Sequence, residues 1–238
     1  MSDDTYIIDN EDVLSVLETS CMLQFEHIQM LCLNRVTEML YPHNCIKIWT
    51  ICDALGFKIL SMHAKNMALT EFNQIKQNMD SLLELNIRQL YSYLSNVYLV
   101  CDNEMDVFIV AMNWWYENCN EENKLLSGGD RTRSFLCLLS CIDFNKLPIS
   151  DVREMMTYHD IKDNRDIMEV LKYLIRIREH HLDDEGNNNF KVANSLLDCK
   201  RRKSHLSPCI IVENYEITVN TDSRTFGELK FFILIFSS

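Results

Sequence analysis

The stretch Asn103-Glu104-Met105-Asp106-Val107-Phe108-Ile109-Val110-Ala111-Met112-Asn113-Trp114-Trp115-Tyr116 decides the fold class. Met105, Phe108, Ile109, Met112 and Tyr116 recur at steps of three and four, the spacing that gathers apolar side chains on one face of a helix. Asn103 stands where an N-cap belongs. Asp106 lies in the first turn, where the helix dipole favours an anion. Successive helical residues diverge by about 100°, so Trp114, Trp115 and Tyr116 cannot form one flat stacking cage. Trp114 reads as a packing residue, and so does Trp49.

The same periodicity runs outward in both directions. A helix begins at Glu11, with Val13, Val16, Leu17 and Met22/Leu23 on one side. A second covers Phe25 to Leu40 with the stripe Phe25, Ile28, Cys32, Val36 and Met39, and Tyr41-Pro42 ends it because proline disfavours helical backbone in the residue before it. Asn44 is placed to cap a helix from Cys45 to Leu55, which Gly56 stops. Phe57 to Ile75 reads as one helix with Phe57, Leu60, Ala64, Met67 or Ala68, and Phe72 inward. After Leu82-Leu83-Glu84-Leu85 a short helix spans Ile87 to Leu94, and Val97 to Cys101 reads as extended. Residues 121–133 read as a loop around Ser127-Gly128-Gly129-Asp130. Helices follow over Arg133–Cys141, Asp151–Tyr158 and Asn164–His181. The expected fold is therefore all-α, with antiparallel helical pairs packed side by side over 11–182. Residues 1–10 are expected to be disordered, 183–206 to be a linker, and 207–238 a small β-rich or disordered tail. Within that tail the apolar run Phe231 to Phe236 is expected either to pair with Cys209–Val212 or Ile217–Val219, or to have no folding role.

Composition narrows the function. Only 5 glycines and 3 prolines occur in 238 residues, too few for the tight turns of sandwiches, propellers or Gly-loop nucleotide folds. The net charge of −12 disfavours phosphate neutralisation, so nucleic acid is not an expected partner. The one basic run, Lys200-Arg201-Arg202-Lys203, reads as a solvated linker ahead of a nuclear-import address. The 10 cysteines contain no Cys-x-x-Cys pair and mostly fall in apolar helical stretches, where a thiol acts as a small hydrophobe. With no apolar signal segment and no Asn-x-Ser/Thr acceptor, a reducing compartment is expected, cytosol or nucleus. No run is long enough to span a bilayer, and no membrane partner is expected.

No motif supports catalysis, a metal or a cofactor. Zinc needs four ligands, usually as two close pairs, whereas Cys137-x-x-x-Cys141 and His180-His181 have no matching second pair. No P-loop, dinucleotide fingerprint or nucleophile elbow occurs, and the Ser127-Gly128-Gly129-Asp130 loop lacks the following lysine of a phosphate site. The expectation is a non-enzymatic protein with no cofactor.

Residues 44–155 carry a family pattern. Asn44-Cys45-Ile46 opens a helix containing Ala54, then Leu82-Leu83-Glu84-Leu85 precedes Gln89-Leu90. Glu104, Val107-Phe108 and Ala111-Met112-Asn113-Trp114 are similar to Glu-x-x-Val-Phe-x-Ala-x-x-x-Trp, with Ala111 one position past the pattern's alanine, and Ile142-Asp143-Phe144 with Leu147 to Ile-Arg-Phe-Pro-x-Leu. In order and spacing these resemble the BACK domain of the BTB–kelch proteins. Asp143 stands where the family usually has arginine, and Asn145 where it often has proline. By the same resemblance, 11–43 is similar to the 3-box helices that join BTB to BACK, 44–182 is the BACK-like domain, and 207–238 is similar to the first strands of a kelch propeller. Neither a BTB body nor a whole propeller is expected within this chain.

The resemblance implies an adaptor of a cullin-RING ubiquitin ligase, in which a helical spacer separates a ligase-binding end from a substrate-binding end. The implied partners are a cullin scaffold, BTB-containing proteins and, in an alternative cytoskeletal role, actin; a decoy or inactive fragment is a further alternative. Opposite the core stripe of the second helix lie His27, Met30, Leu33 and Thr37, the expected partner-binding face.

Overall fold

A computed structural model describes residues 12–119, 128–180 and 188–197, all of them within one compact unit, 1–204. The acidic start, the basic run at 200–203, the strands expected over 207–238 and the terminal apolar run lie outside the described residues. Those residues form helices α1 (Val13–Met22), α2 (Glu26–Glu38), α3 (Cys45–Ala54), α4 (Lys58–Thr70), α5 (Phe72–Ile75), α6 (Asp80–Leu83), α7 (Ile87–Leu94), α8 (Glu104–Cys119), α9 (Gly128–Leu139), α10 (Ile149–Met155), α11 (His159–Lys162), α12 (Arg165–His180) and α13 (Asn188–Leu197). No strand occurs among the described residues, and the fold is all-α. The most extensive packing is between neighbours in the chain: α1 with α2, α3 with α4, α8 with α9, and α12 with α13.

Asn103 caps α8 as its position suggested, accepting the Met105 N–H at 2.9 Å. Met105, Phe108 and Met112 are buried, and so are Val107, Val110, Ala111, Trp114 and Trp115, whereas Ile109 and Tyr116 are exposed. α8 is thus covered on more than one side, and a single stripe underestimates it. The Trp114 indole N–H donates to the Leu85 carbonyl at 2.7 Å, tying α8 to the end of α6. Asp106 does more than face a dipole, since it pairs with Lys76 at 2.6 Å. Tyr93 fills the centre between Trp49 and Phe72, with its hydroxyl donating to the Ala68 carbonyl at 2.7 Å. Burial pushes the thiols of Cys45 and Cys52 up to about 11, which leaves them protonated packing groups.

Several expectations are corrected. The helix expected over 57–75 breaks at Glu71 into α4 and α5. Residues 97–101 make no strand; the Val100 N–H donates to the Leu69 carbonyl and Leu99 is buried, so this segment is a packed connector. The loop expected over 121–133 gives way at Gly128 to α9, because glycines in a first helical turn cost less than the Phe135, Leu138 and Leu139 burial that follows returns. The linker expected over 183–206 contains α13, which buries Ala193 and Leu196. Asn44 occupies the N-cap position of α3, yet its side chain bonds backward to the Tyr41 N–H and the Met39 carbonyl.

One loop joins three helices. Glu104 is buried, and its Oε2 accepts the Asp143 N–H at 3.1 Å. Arg178 of α12 donates one guanidinium nitrogen to the carbonyls of Phe144 and Leu147 at 2.9 and 2.7 Å. The Asn145 amide donates to the Leu197 carbonyl of α13 at 2.7 Å.

Candidate partner-binding face

α1 and α2 meet at a reversal built by its own backbone. The Phe25 N–H donates to the Ser20 carbonyl and the Gln24 N–H to the Cys21 carbonyl, the paired bonds of a Schellman stop. That stop needs a left-handed residue, and Gln24 supplies it at φ +59°. The Gln29 amide closes the corner by donating to the Ser20 carbonyl at 3.0 Å. The α3 stop has the same bonds, with Gly56 at φ +83° in the left-handed position.

The reversal decides which side chains face outward. Met22, Leu23 and Phe25 are 84%, 57% and 53% exposed, although helical phase assigned them to the core side. Helical phase ends where the backbone turns left-handed, so three residues at the corner leave the stripe. Further along α2, Ile28 is half-buried while Cys32 and Val36 are fully buried, as their spacing predicts.

The four residues expected on the opposite face divide. His27 and Thr37 are exposed, Met30 is 45% exposed, and Leu33 is half-buried against the core. The Thr37 hydroxyl donates to the Leu33 carbonyl, so it is engaged within its own helix. Leu31, which the sequence reading missed, is 49% exposed on the flank opposite Leu33. Helical phase carried the signal, since Leu31 lies about 120° from the midline of the Cys32–Val36 stripe and Leu33 only about 80°. The exposed apolar side chains at the corner and just after it are Met22, Leu23, Phe25, Met30 and Leu31, and no metal-holding cluster occurs among the described residues. Were a partner to cover these side chains, desolvation of their apolar area would drive the contact.

A family model described as BACK, BTB And C-terminal Kelch, matches residues 45–128, the span from α3 to the start of α9. Over those residues the chain is similar to the BACK domain of BTB–kelch proteins. Human Kelch-like protein 24 is 32% identical over 119 residues, which are 50% of this chain and 20% of that protein. Kelch-like protein 38 of Mus musculus is 32% identical over 103 residues, 43% of this chain and 17% of that one. Kelch-like protein 40 of Xenopus laevis is 23% identical over 202 residues, 80% of this chain and 31% of its own length. The chain thus spans a third or less of these curated relatives. The exposed α1–α2 corner lies ahead of the matched residues, and the 141–147 loop lies beyond them.

Proposed function

We propose that this chain serves as the helical spacer of a substrate adaptor for a cullin-RING ubiquitin ligase, working by position with no chemistry of its own. Kelch-like BTB proteins are in general adaptors or scaffolds. The observation that carries the reading is the exposed apolar corner of α1 and α2, immediately before the BACK domain. Residues 11–43 would act as the 3-box-like linking helices and dock the cullin scaffold or a BTB domain. Residues 44–182 would hold that dock at a fixed distance from whatever recognises the substrate. A spacer of this kind raises effective concentration between two bound proteins without adding a contact. A cytosolic or nuclear setting, where cullin ligases and free thiols coexist, belongs to the same proposal.

The test is biolayer interferometry of the full chain on an immobilised cullin N-terminal domain, with and without an added BTB domain. The Met30→Asp/Leu31→Asp variant should weaken binding at least tenfold. Ile59→Asp, on an exposed site of α4, should leave it unchanged. Equal loss in both variants would sink the choice of face, and no binding by the wild type in either setting would sink the ligase reading.

A further inference from the structure

The helix α13 lies in a segment whose sequence read as a linker, and its residues are poorly suited to hold it there alone. It is Asn188-Asn189-Phe190-Lys191-Val192-Ala193-Asn194-Ser195-Leu196-Leu197. Three asparagines and a serine in ten residues favour turns, because their side chains compete for backbone hydrogen bonds. The Ser195 hydroxyl does so here, donating to the Val192 carbonyl. A helix this short is not stable in water by itself. Its order therefore comes from the surface it lies on.

That surface is α12. Ile167, Val170, Leu171, Leu174 and Ile175 of α12 are buried, and Met168, Tyr173 and Ile177 are half-buried. Together they occupy roughly half of the helix circumference, more than the stripe of about 100° that one neighbour needs. α12 packs against α9, α10 and α11 and, more extensively, against α13. Removing α13 would leave an apolar groove on a helix that its other contacts and the Arg178 staple still hold. α13 grips this groove with two fully buried side chains, Ala193 and Leu196, and two half-buried ones, Val192 and Leu197.

The remaining hold is at the helix end. The last carbonyls of a helix lack intrahelical partners, and that of Leu197 is met by the Asn145 side-chain amide at 2.7 Å. Asn145 stands where the family often has proline, whose ring offers no such donor. Asn145 and the end of α13 thus meet in one hydrogen bond.

We propose that α13 is a releasable strap over an apolar groove of α12, and that the groove accepts in its place an amphipathic partner helix with a small residue three positions before a leucine. Asn145 sets the register of the incoming helix by capping its final turn. The strap makes the site conditional: a partner binds only by displacing a helix of low intrinsic propensity, or after something else has drawn that helix away.

Hydrogen exchange on the full chain tests the release. Amides of α13 should exchange at least tenfold faster than those in the middle of α12. Asn194→Ala/Ser195→Ala, two exposed sites where alanine strengthens the helix, should slow α13 alone. A fluorescein-labelled peptide of residues 188–197 then probes the groove by polarisation. It should bind the full chain carrying Leu196→Asp at least tenfold more tightly than the wild type, with α12 protection retained. Equal protection of α13 and α12 in the wild type would overturn the strap. So would a Leu196→Asp chain that loses α12 protection together with α13, or one that keeps it and does not take up the peptide.

Discussion

Replacing Asp143 by asparagine should stabilise the helical unit. Asp143 is 1% exposed, and its Oδ1 accepts the Asn145 N–H at 3.3 Å, while its Oδ2 has no hydrogen-bond partner. The only cation near Oδ2 among the described residues is Lys146 at 4.0 Å, whose side chain is half in solvent. The carboxylate of Glu104 holds the Asp143 N–H from the other side, so two acids share one buried joint. A buried polar atom without a partner costs about 1–3 kcal/mol. The Lys146 pair returns well under 1 kcal/mol once solvent screening is counted. An asparagine at this position keeps the Oδ1 acceptor and the volume and puts a neutral amide where the unpartnered carboxylate oxygen was; the unmet amide hydrogens still cost, but less than an unmet charge, so the net gain is about 1 kcal/mol. For a unit of this size that raises Tm by about 2–4 °C. Differential scanning fluorimetry of wild type, Asp143→Asn, Lys146→Met and the double variant gives the cycle. Lys146→Met should destabilise slightly on the aspartate background and do nothing on the asparagine one. A lower Tm for Asp143→Asn would refute the reasoning, because it would mean that the carboxylate is worth more to the joint than its burial costs.

Four further outcomes rest on other contacts. Gln24→Gly relieves a left-handed residue in the α1 stop and should add about 0.5–1 kcal/mol in urea unfolding, whereas Gly56→Ala imposes the same strain in the α3 stop and should cost about 1 kcal/mol, although its Cβ would meet nothing within 4 Å. Trp114→Phe removes the donor to the Leu85 carbonyl and should cost about 1–3 kcal/mol, read as a lower urea midpoint at unchanged slope. Cys45 and Cys52 ionise at about 11 in the fold against 9.0 for a free thiol; their contribution is intact below pH 9 and is lost as pH rises towards 11, because only the unfolded chain ionises in that window. Thermal melts between about pH 8 and 11 should therefore fall less steeply for Cys45→Ala/Cys52→Ala than for the wild type.

Much of the fold was readable because periodic burial writes itself into spacing. α2, α3, α7, α8 and α12 begin and end within a few residues of where apolar steps, Asn103, Pro42 and Gly56 place them. A further start signal went unread: Asn86 and Gln89 form a reciprocal capping box at α7, the Asn-x-x-Gln counterpart of the usual pattern. α11 and α13 were not readable, since four residues and an asparagine-rich ten carry too little periodicity to stand out from loop. Their helicity comes from tertiary contact. The candidate face was only partly legible. His27 and Met30 follow from helical phase, but Met22, Leu23 and Phe25 depend on a left-handed glutamine that no residue preference announces. Leu33 lies at the edge of the stripe, where a small rotation of α2 decides between core and surface.

The loop at 141–147 bears on how stiffly α12 is held. α12 is a rod of about 24 Å, at 1.5 Å per residue, and Arg178 fixes it to that loop near one end. Tilting such a rod by about 5° about its fastening carries the far tip roughly 2 Å sideways by plain lever geometry. Both hydrogen bonds leave one guanidinium nitrogen and reach carbonyls three residues apart, so they pin that point of α12 to both ends of the 144–147 turn, while packing against α9, α10, α11 and α13 resists the tilt. Angular stiffness, more than the number of helices, then sets how faithfully a displacement at one end of α12 is reported at the other.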